Sequence, residues 1–176
     1  LRESNKAYVN DFNRTHRAEA IIAEYQEFSK AELEEKNIDG INLAGRIVLK
    51  RVMGNASFIT IRDELSDLQA YVSKNDIGDD DYADFKAWVM GDIVGRSGKL
   101  FRTKTDELTV HCSAVTMITK SLKPMPEKHK GLSDIETRYR QRYLDLMSNN
   151  ETKELFLSRS KILDSVRTTM KAAEFM

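Results

Sequence analysis

A mainly β fold with helices at both ends is predicted by three observations. Between Ile41 and Ile118 the apolar residues recur with a period of two in five stretches. One helical stretch interrupts them, after the third. On both flanks the apolar spacing lengthens to that of an α-helix. A period of two sends alternate side chains to opposite faces of a strand, whereas spacings of three and four gather them on one side of a helix.

The elements follow in order. Leu1 to Asn13 shows no period. Thr15 is the expected N-cap of a helix carrying Ala18, Ile21, Ile22, Tyr25 and Phe28 at helical spacing. Ser29 and Glu32 form a capping-box pattern that opens a second short helix towards Lys36, and the turn-forming run Asn37 to Gly40 ends it. Residues 1–40 are thus an N-terminal helical segment. In the first strand Ile41, Leu43, Gly45, Ile47 and Leu49 should face one way, and Asn42, Ala44, Arg46, Val48 and Lys50 the other. Gly54-Asn55 signals a turn. The second strand spans Ala56 to Arg62, with Ile59 and Ile61 opposite Phe58, Thr60 and Arg62. In the third, Asp67 to Val72, the residues Leu68, Ala70 and Val72 alternate with Gln69 and Tyr71.

Asp79 to Met90 reads as a helix, with Asp79, Asp80 and Asp81 suited to its positive N-terminal end and Tyr82, Phe85, Trp88 and Val89 on its apolar side. Strands at Asp92 to Arg102 and Leu108 to Ile118 are joined by the polar tip Thr103 to Glu107. Gly95 and Gly98 inside the fourth strand mark a bulge or tight bend. Three strands, a helix and two strands, over residues 41–118, is the order of the five-stranded Greek-key OB-fold barrel. An SH3-like barrel lacks a helix at that place. Lys123-Pro124-Met125-Pro126 breaks regular structure, and residues 119–150 are expected to be a linker. Within it, Ser133 and Glu136 form a capping box for a helix running through Met147. Asn149 or Asn150 caps a C-terminal helical extension, residues 151–176, whose apolar stripe is Leu155, Ile162, Val166, Met170 and Ala173.

The 28 basic residues equal the 28 acidic ones, which excludes a uniformly basic nucleic-acid binder but not a locally basic one. The charge is sorted along the chain. Leu43 to Arg62 holds Arg46, Lys50, Arg51 and Arg62 and no acid; Asp63 to Asp92 is acidic, and Lys120 to Arg142 is basic again. Cys112 is the single cysteine, so no internal disulfide forms and a reducing compartment, the cytoplasm, is expected. No apolar run has the length of a membrane span. A start at Leu1 and a stop at Met176 inside a helical pattern are expected of a piece of a longer protein.

Phe58 is the residue with chemical promise. Its strand already has an aliphatic face, so a ring on the other side, beside Thr60, Arg62, Gln69 and Tyr71, suits single-stranded nucleic acid: a base stacks on the ring and polar neighbours read its edge. Lys50 and Arg51 would contact phosphates. The pattern alone leaves open a packing role for Phe58 under the N-terminal helices. His16, His111 and His129 are dispersed without cysteine or carboxylate at metal spacing, so no metal site is expected. Asp79 to Asp81 suit helix capping better than calcium. No phosphate-cradling glycine loop and no nucleophile with its base are present, so no catalytic residue is expected here.

Leu43-Ala-Gly-Arg46-Ile, Lys50-Arg51-Val-Met-Gly54-Asn-Ala-Ser-Phe58 and Leu68-Gln69 resemble the anticodon-binding barrel of class II lysyl-tRNA synthetases. Gly98-Lys-Leu-Phe-Arg-Thr-Lys104-Thr-Asp-Glu107-Leu is similar to that family's loop between strands four and five. The string from Gly131 to Leu146 resembles its junction with the catalytic domain, and favours lysyl over the related aspartyl and asparaginyl enzymes. Arg159 to Phe175 looks like the helix leading into motif 1, the dimer-forming element.

The resemblance implies that Phe58 stacks on the central anticodon base, that Gln69 and Arg51 read or hold it, and that Glu107 contacts a neighbouring base. Arg46, Lys50 and Lys104 are the expected contacts to the tRNA backbone. It further implies a parent that uses ATP and Mg2+ to charge tRNA(Lys) as a homodimer, with no cofactor bound by this chain, which lacks motifs 2 and 3. Three positions depart from the family pattern: Asp106 and Glu174 stand where glycine is usual, and Leu65-Ser66-Asp67 replaces a glycine-containing turn. Rival readings are an aspartyl or asparaginyl enzyme, a non-catalytic module for single strands of any sequence, and a dimerisation element built on the last helix.

Overall fold

Thirteen residues of extended backbone, β1 (Ile41–Met53), begin a sheet that β2 (Ala56–Arg62), β3 (Asp67–Ser73), β4 (Ile93–Arg102) and β5 (Leu108–Thr119) complete. In this computed structural model, which describes residues 9–64, 66–123, 125–126 and 132–175, the sheet is closed in the order β1-β2-β3-β5-β4. Neighbours run antiparallel except the β3–β5 pair, whose parallel seam closes the OB topology expected from the strand order. Alternation puts Leu43, Ile59, Ile61, Ala70, Val72 and Val110 inside, each at most 2% exposed.

β1 departs from simple alternation. Its register against β2 slips between Ile47 and Leu49, so Lys50 is opposite Ile59 and Arg51 opposite Phe58. The extra residue of a bulge exchanges the two faces beyond it. Lys50 therefore joins the side of buried Ile59, and Leu49, expected inside, lies opposite Thr60. The bend predicted in β4 is also a register slip, between Ser97 and Gly98. A Cβ on Gly98 would come within 2.0 Å of the His111 carbonyl oxygen, so only glycine permits this approach of β4 to β5.

Two helices precede the barrel, α1 (Ala18–Tyr25) and α2 (Lys30–Lys36). Thr15 does not cap α1. Its backbone N–H and hydroxyl bond Asn42 on β1, and the Ala18 N–H donates instead to Oδ2 of Asp63, 2.7 Å away. The Ser29–Glu32 capping box of α2 forms as predicted, and Asn37, at φ 42°, ends the helix in the left-handed conformation. Between β3 and β4 lie the single turn α3 (Lys74–Ile77) and α4 (Asp79–Ala87), whose Tyr82 and Phe85 are buried in the core. The Tyr82 hydroxyl is 2.8 Å from Ser57 Oγ. α4 stops at Ala87, short of the expected Met90, where Trp88 turns extended.

The chain forms two units, Leu1–Pro124 and Met125–Met176. The second contains α5 (Ile135–Arg140), α6 (Arg142–Ser148) and α7 (Asn150–Ala172). The single helix expected through Met147 is broken at Gln141, and Asp134, not Ser133, caps its start by accepting from the Thr137 N–H. Arg138 and Arg142 hold the buried Asp145 carboxylate at 3.2 and 2.7 Å. Asn149 caps α7, whose apolar stripe of Leu155, Ile162, Val166 and Met170 is exposed. Among the described residues no helix is long and apolar enough to cross a membrane. Leu65, Pro124, His129 and Gly131 lie outside the described residues.

Candidate nucleic-acid interface

The closed register aligns one residue from every strand on the outer face. Arg51 of β1 is opposite Phe58 of β2, Phe58 opposite Tyr71 of β3, Tyr71 opposite His111 of β5, and His111 opposite Lys99 of β4. The row runs cation, three rings, cation. Phe58 and Tyr71 sit 5.2 Å apart between ring centroids, Tyr71 meets His111 edge-on at 5.1 Å, and Phe101 adds a fourth ring 6.1 Å from Tyr71. These rings floor an open cavity of about 450 Å³ whose rim includes Arg51, Gln69, Lys104 and Glu107. Phe58 is half-buried on this face, outside the barrel core.

Gln69 is held in one orientation. Thr109 Oγ1 donates its single proton to the Glu107 carbonyl at 3.0 Å, so towards Gln69 it accepts, from Nε2 at 3.0 Å. The Gln69 amide oxygen has no partner among the described residues. An acceptor without a donor on the lining of the cavity suits a ligand that supplies one.

The loop from Thr103 to Glu107 is fixed from beneath. The Thr103 N–H donates to the Glu107 carbonyl at 3.1 Å, and the Glu107 N–H returns a bond to Thr103 Oγ1 at 3.1 Å. Buried Arg102 donates to the carbonyls of Phe28 at 2.6 Å and Asp106 at 2.5 Å, and to that of Gln26, tying loop and N-terminal helices together. Asp106 adopts φ 61° and Glu174 φ 62°, the left-handed region that glycine enters without strain. That is the physical content of both departures from the family's glycines.

Four residues expected at the site, Phe58, Gln69, Arg51 and Glu107, come together, with Lys104 on the same rim. Arg51 and Lys104 are exposed and make no ion pair among the described residues. The other two expected backbone contacts lie elsewhere. Lys50 Nζ donates to the carbonyls of Phe85, Lys86 and Trp88 at 2.7, 3.1 and 2.8 Å, and sits over the Phe85 ring. These are carbonyls at the C-terminal end of α4, the negative end of the helix, which attracts a cation; that of Phe85 also accepts the Trp88 N–H at 3.1 Å. Burial lowers the Lys50 pKa from its ordinary value. Arg46 Nη1 donates to the Gly91 carbonyl at 2.7 Å. The bulge in β1 is the reason for the exchange at Lys50.

Sequence reasoning set His111 aside as an isolated histidine, yet its ring lines the cavity with Nε2 2.7 Å from Asp76 Oδ2. Its alternation with buried Val110 and Cys112 was a local signal of an outward ring. Among the described residues no cluster of histidine, cysteine or carboxylate could hold a metal ion.

A closed five-stranded sheet with rings and cations across β1 to β5 defines a class. Residues 41–118 match the family model of the OB-fold nucleic acid binding domains of the tRNA anticodon type. Over its whole length the chain is similar to lysine–tRNA ligases. All of this chain aligns with the N-terminal part of the Yersinia enterocolitica lysine–tRNA ligase at 46% identity, covering 35% of that relative. The match to the lysine–tRNA ligase of Paraburkholderia xenovorans is 47% identical and covers 34% of it; that of Actinobacillus pleuropneumoniae serotype 5b is 48% identical over 35%. The chain thus spans about a third of the length of these relatives.

Proposed function

We propose that this chain is the anticodon-binding region of a lysine–tRNA ligase, with tRNA(Lys) as its partner. The observation that carries the reading is the Phe58 ring, open on the outer face between Arg51 and Tyr71. The central anticodon base stacks on Phe58. The Gln69 amide oxygen accepts a ring N–H from that base while Arg51 donates to its carbonyls. A donor between two acceptors is the edge of uracil, the central base of a lysine anticodon. Glu107 meets a neighbouring base and Lys104 the backbone.

The parent enzyme activates lysine with ATP and Mg2+ and transfers it to tRNA(Lys), acting as a cytoplasmic homodimer. ATP and Mg2+ serve its catalytic portion; this barrel adds affinity and selectivity far from the chemistry. Competition between RNA hairpins tests the proposal. A hairpin with a lysine anticodon should bind at least about tenfold tighter than one with an unrelated anticodon, as base-edge contacts dictate. Equal affinities would favour a module for single strands of any sequence. Aminoacylation by the full-length protein separates lysine from aspartate and asparagine.

A further inference from the structure

A primary amide presents an acceptor on one side and a donor on the other in nearly the same shape, so a glutamine reads a base edge only when something fixes which side faces it. At Gln69 that something is Thr109. The parallel seam puts the two in register, Gln69 of β3 opposite Thr109 of β5. Thr109 is fully buried, and its hydroxyl proton goes to the Glu107 carbonyl at 3.0 Å. Towards Gln69 it offers only a lone pair, which takes Nε2 at 3.0 Å. The amide oxygen is thereby turned away, and it is not sealed in. Among the described residues the one fully buried side-chain polar atom without a partner is Nε of Arg96. Turning the amide over would set its oxygen against the Thr109 oxygen. The hydroxyl could follow only by leaving the Glu107 carbonyl, which costs about one hydrogen bond, a bias of roughly five to one. That carbonyl is itself held in place. It accepts the Thr103 N–H at 3.1 Å, and buried Arg102 grips the neighbouring Asp106 carbonyl at 2.5 Å.

We propose that Thr109 is a specificity-determining positioning residue, which keeps the Gln69 acceptor towards the central base and so admits uracil and rejects cytosine. The inference rests on the anticodon-binding reading and adds the group that sets its selectivity. Where uracil carries a ring N–H, cytosine carries a bare ring nitrogen, which accepts. Against the fixed amide oxygen that nitrogen meets acceptor with acceptor; against a turned amide it would find a donor. Thr109 does not line the cavity and acts only through Gln69.

The test measures the Kd of this chain, and of Thr109→Val, Thr109→Ser and Phe58→Ala, for two hairpins that differ only in uracil or cytosine at the centre of a lysine anticodon. Valine keeps the shape of threonine without the hydroxyl, and the Glu107 carbonyl retains the Thr103 N–H. Both amide orientations then face a methyl group, and the bias of about five to one falls to about one to one. The uracil hairpin should bind less than about twofold weaker to Thr109→Val, and the cytosine hairpin about threefold tighter. Damage to the barrel would weaken both, so tighter cytosine binding is the signature. Thr109→Ser, which keeps the hydroxyl, should bind both hairpins as the unaltered chain does. In the unaltered chain, nuclear Overhauser contacts should link the Gln69 amide protons to the Thr109 side chain. An unchanged ratio of the two Kd values in Thr109→Val, a serine variant that behaves as the valine one, or the absence of those contacts overturns the role of Thr109. If Phe58→Ala weakens binding and uracil is preferred in both the unaltered chain and Thr109→Val, only the Thr109 assignment falls. If the unaltered chain binds neither hairpin or both equally, or Phe58→Ala binds as tightly, the anticodon reading falls and the Thr109 assignment with it.

Discussion

Lys50 and Arg51 are neighbours from one acid-free stretch, and they serve opposite sides of the barrel wall. Arg51 stands exposed at the end of the aromatic row, with no ion pair among the described residues. Lys50 is sunk among three backbone carbonyls at the end of α4 and over the Phe85 ring. One bulge between Ile47 and Leu49 separates them. Charge and sequence position are thus poor guides to a role in binding; what decides is whether backbone acceptors already satisfy the cation. The helix end uses its lysine for folding, and the outer row leaves its arginine for a ligand.

The largest expected effect breaks the Lys50 side of this comparison. Lys50→Ala should lower unfolding free energy by about 2–3 kcal/mol, the range for losing hydrogen bonds to a charged group, while leaving the salt slope of RNA binding unchanged. Denaturant melts and salt titrations measure the two; a reduced slope with intact stability would reverse the assignment. Phe58→Ala should do the opposite, weakening hairpin binding by about 2 kcal/mol with little change in stability.

A third variant sharpens the contrast inside the barrel. Arg96 is 1% exposed and its Nε has no partner; Nη1 donates to the Leu68 carbonyl at 3.2 Å, and no carboxylate lies within ion-pair distance among the described residues. Burial pulls its guanidinium down to about 10, so it remains a charge in an apolar interior at neutral pH. Arg96→Met should raise stability by about 1 kcal/mol, the low end for replacing buried ionic groups by apolar ones, and a loss in denaturant melts would refute this. The smallest effect belongs to the loop. Asp106→Gly relieves a left-handed backbone and should gain about 0.5 kcal/mol, read as a small upward shift of Tm.

The strand order and the alternation in β2 and β3 were legible because each is a local period, and they put Phe58 and Gln69 on the outer face. Three things were not. The β1 bulge is a property of pairing, so the face of Lys50 could not be read from β1 alone. The cap of α1 comes from Asp63, 45 residues away, which no neighbouring pattern announces. His111 joins Phe58 and Tyr71 only through the parallel β3–β5 seam, a contact between segments that are separated by α3, α4 and β4 in the chain. The glycine departures at Asp106 and Glu174 were visible in sequence, but their cost became physical only with their positive φ angles.

Chemical-shift perturbation of this chain by a lysine-anticodon hairpin tests the central claim most directly. The account predicts that the largest shifts fall on Arg51, Phe58, Gln69, Tyr71 and Glu107, with α7 unmoved. Shifts concentrated on α5 to α7, or absent from the outer row at saturating RNA, would contradict it.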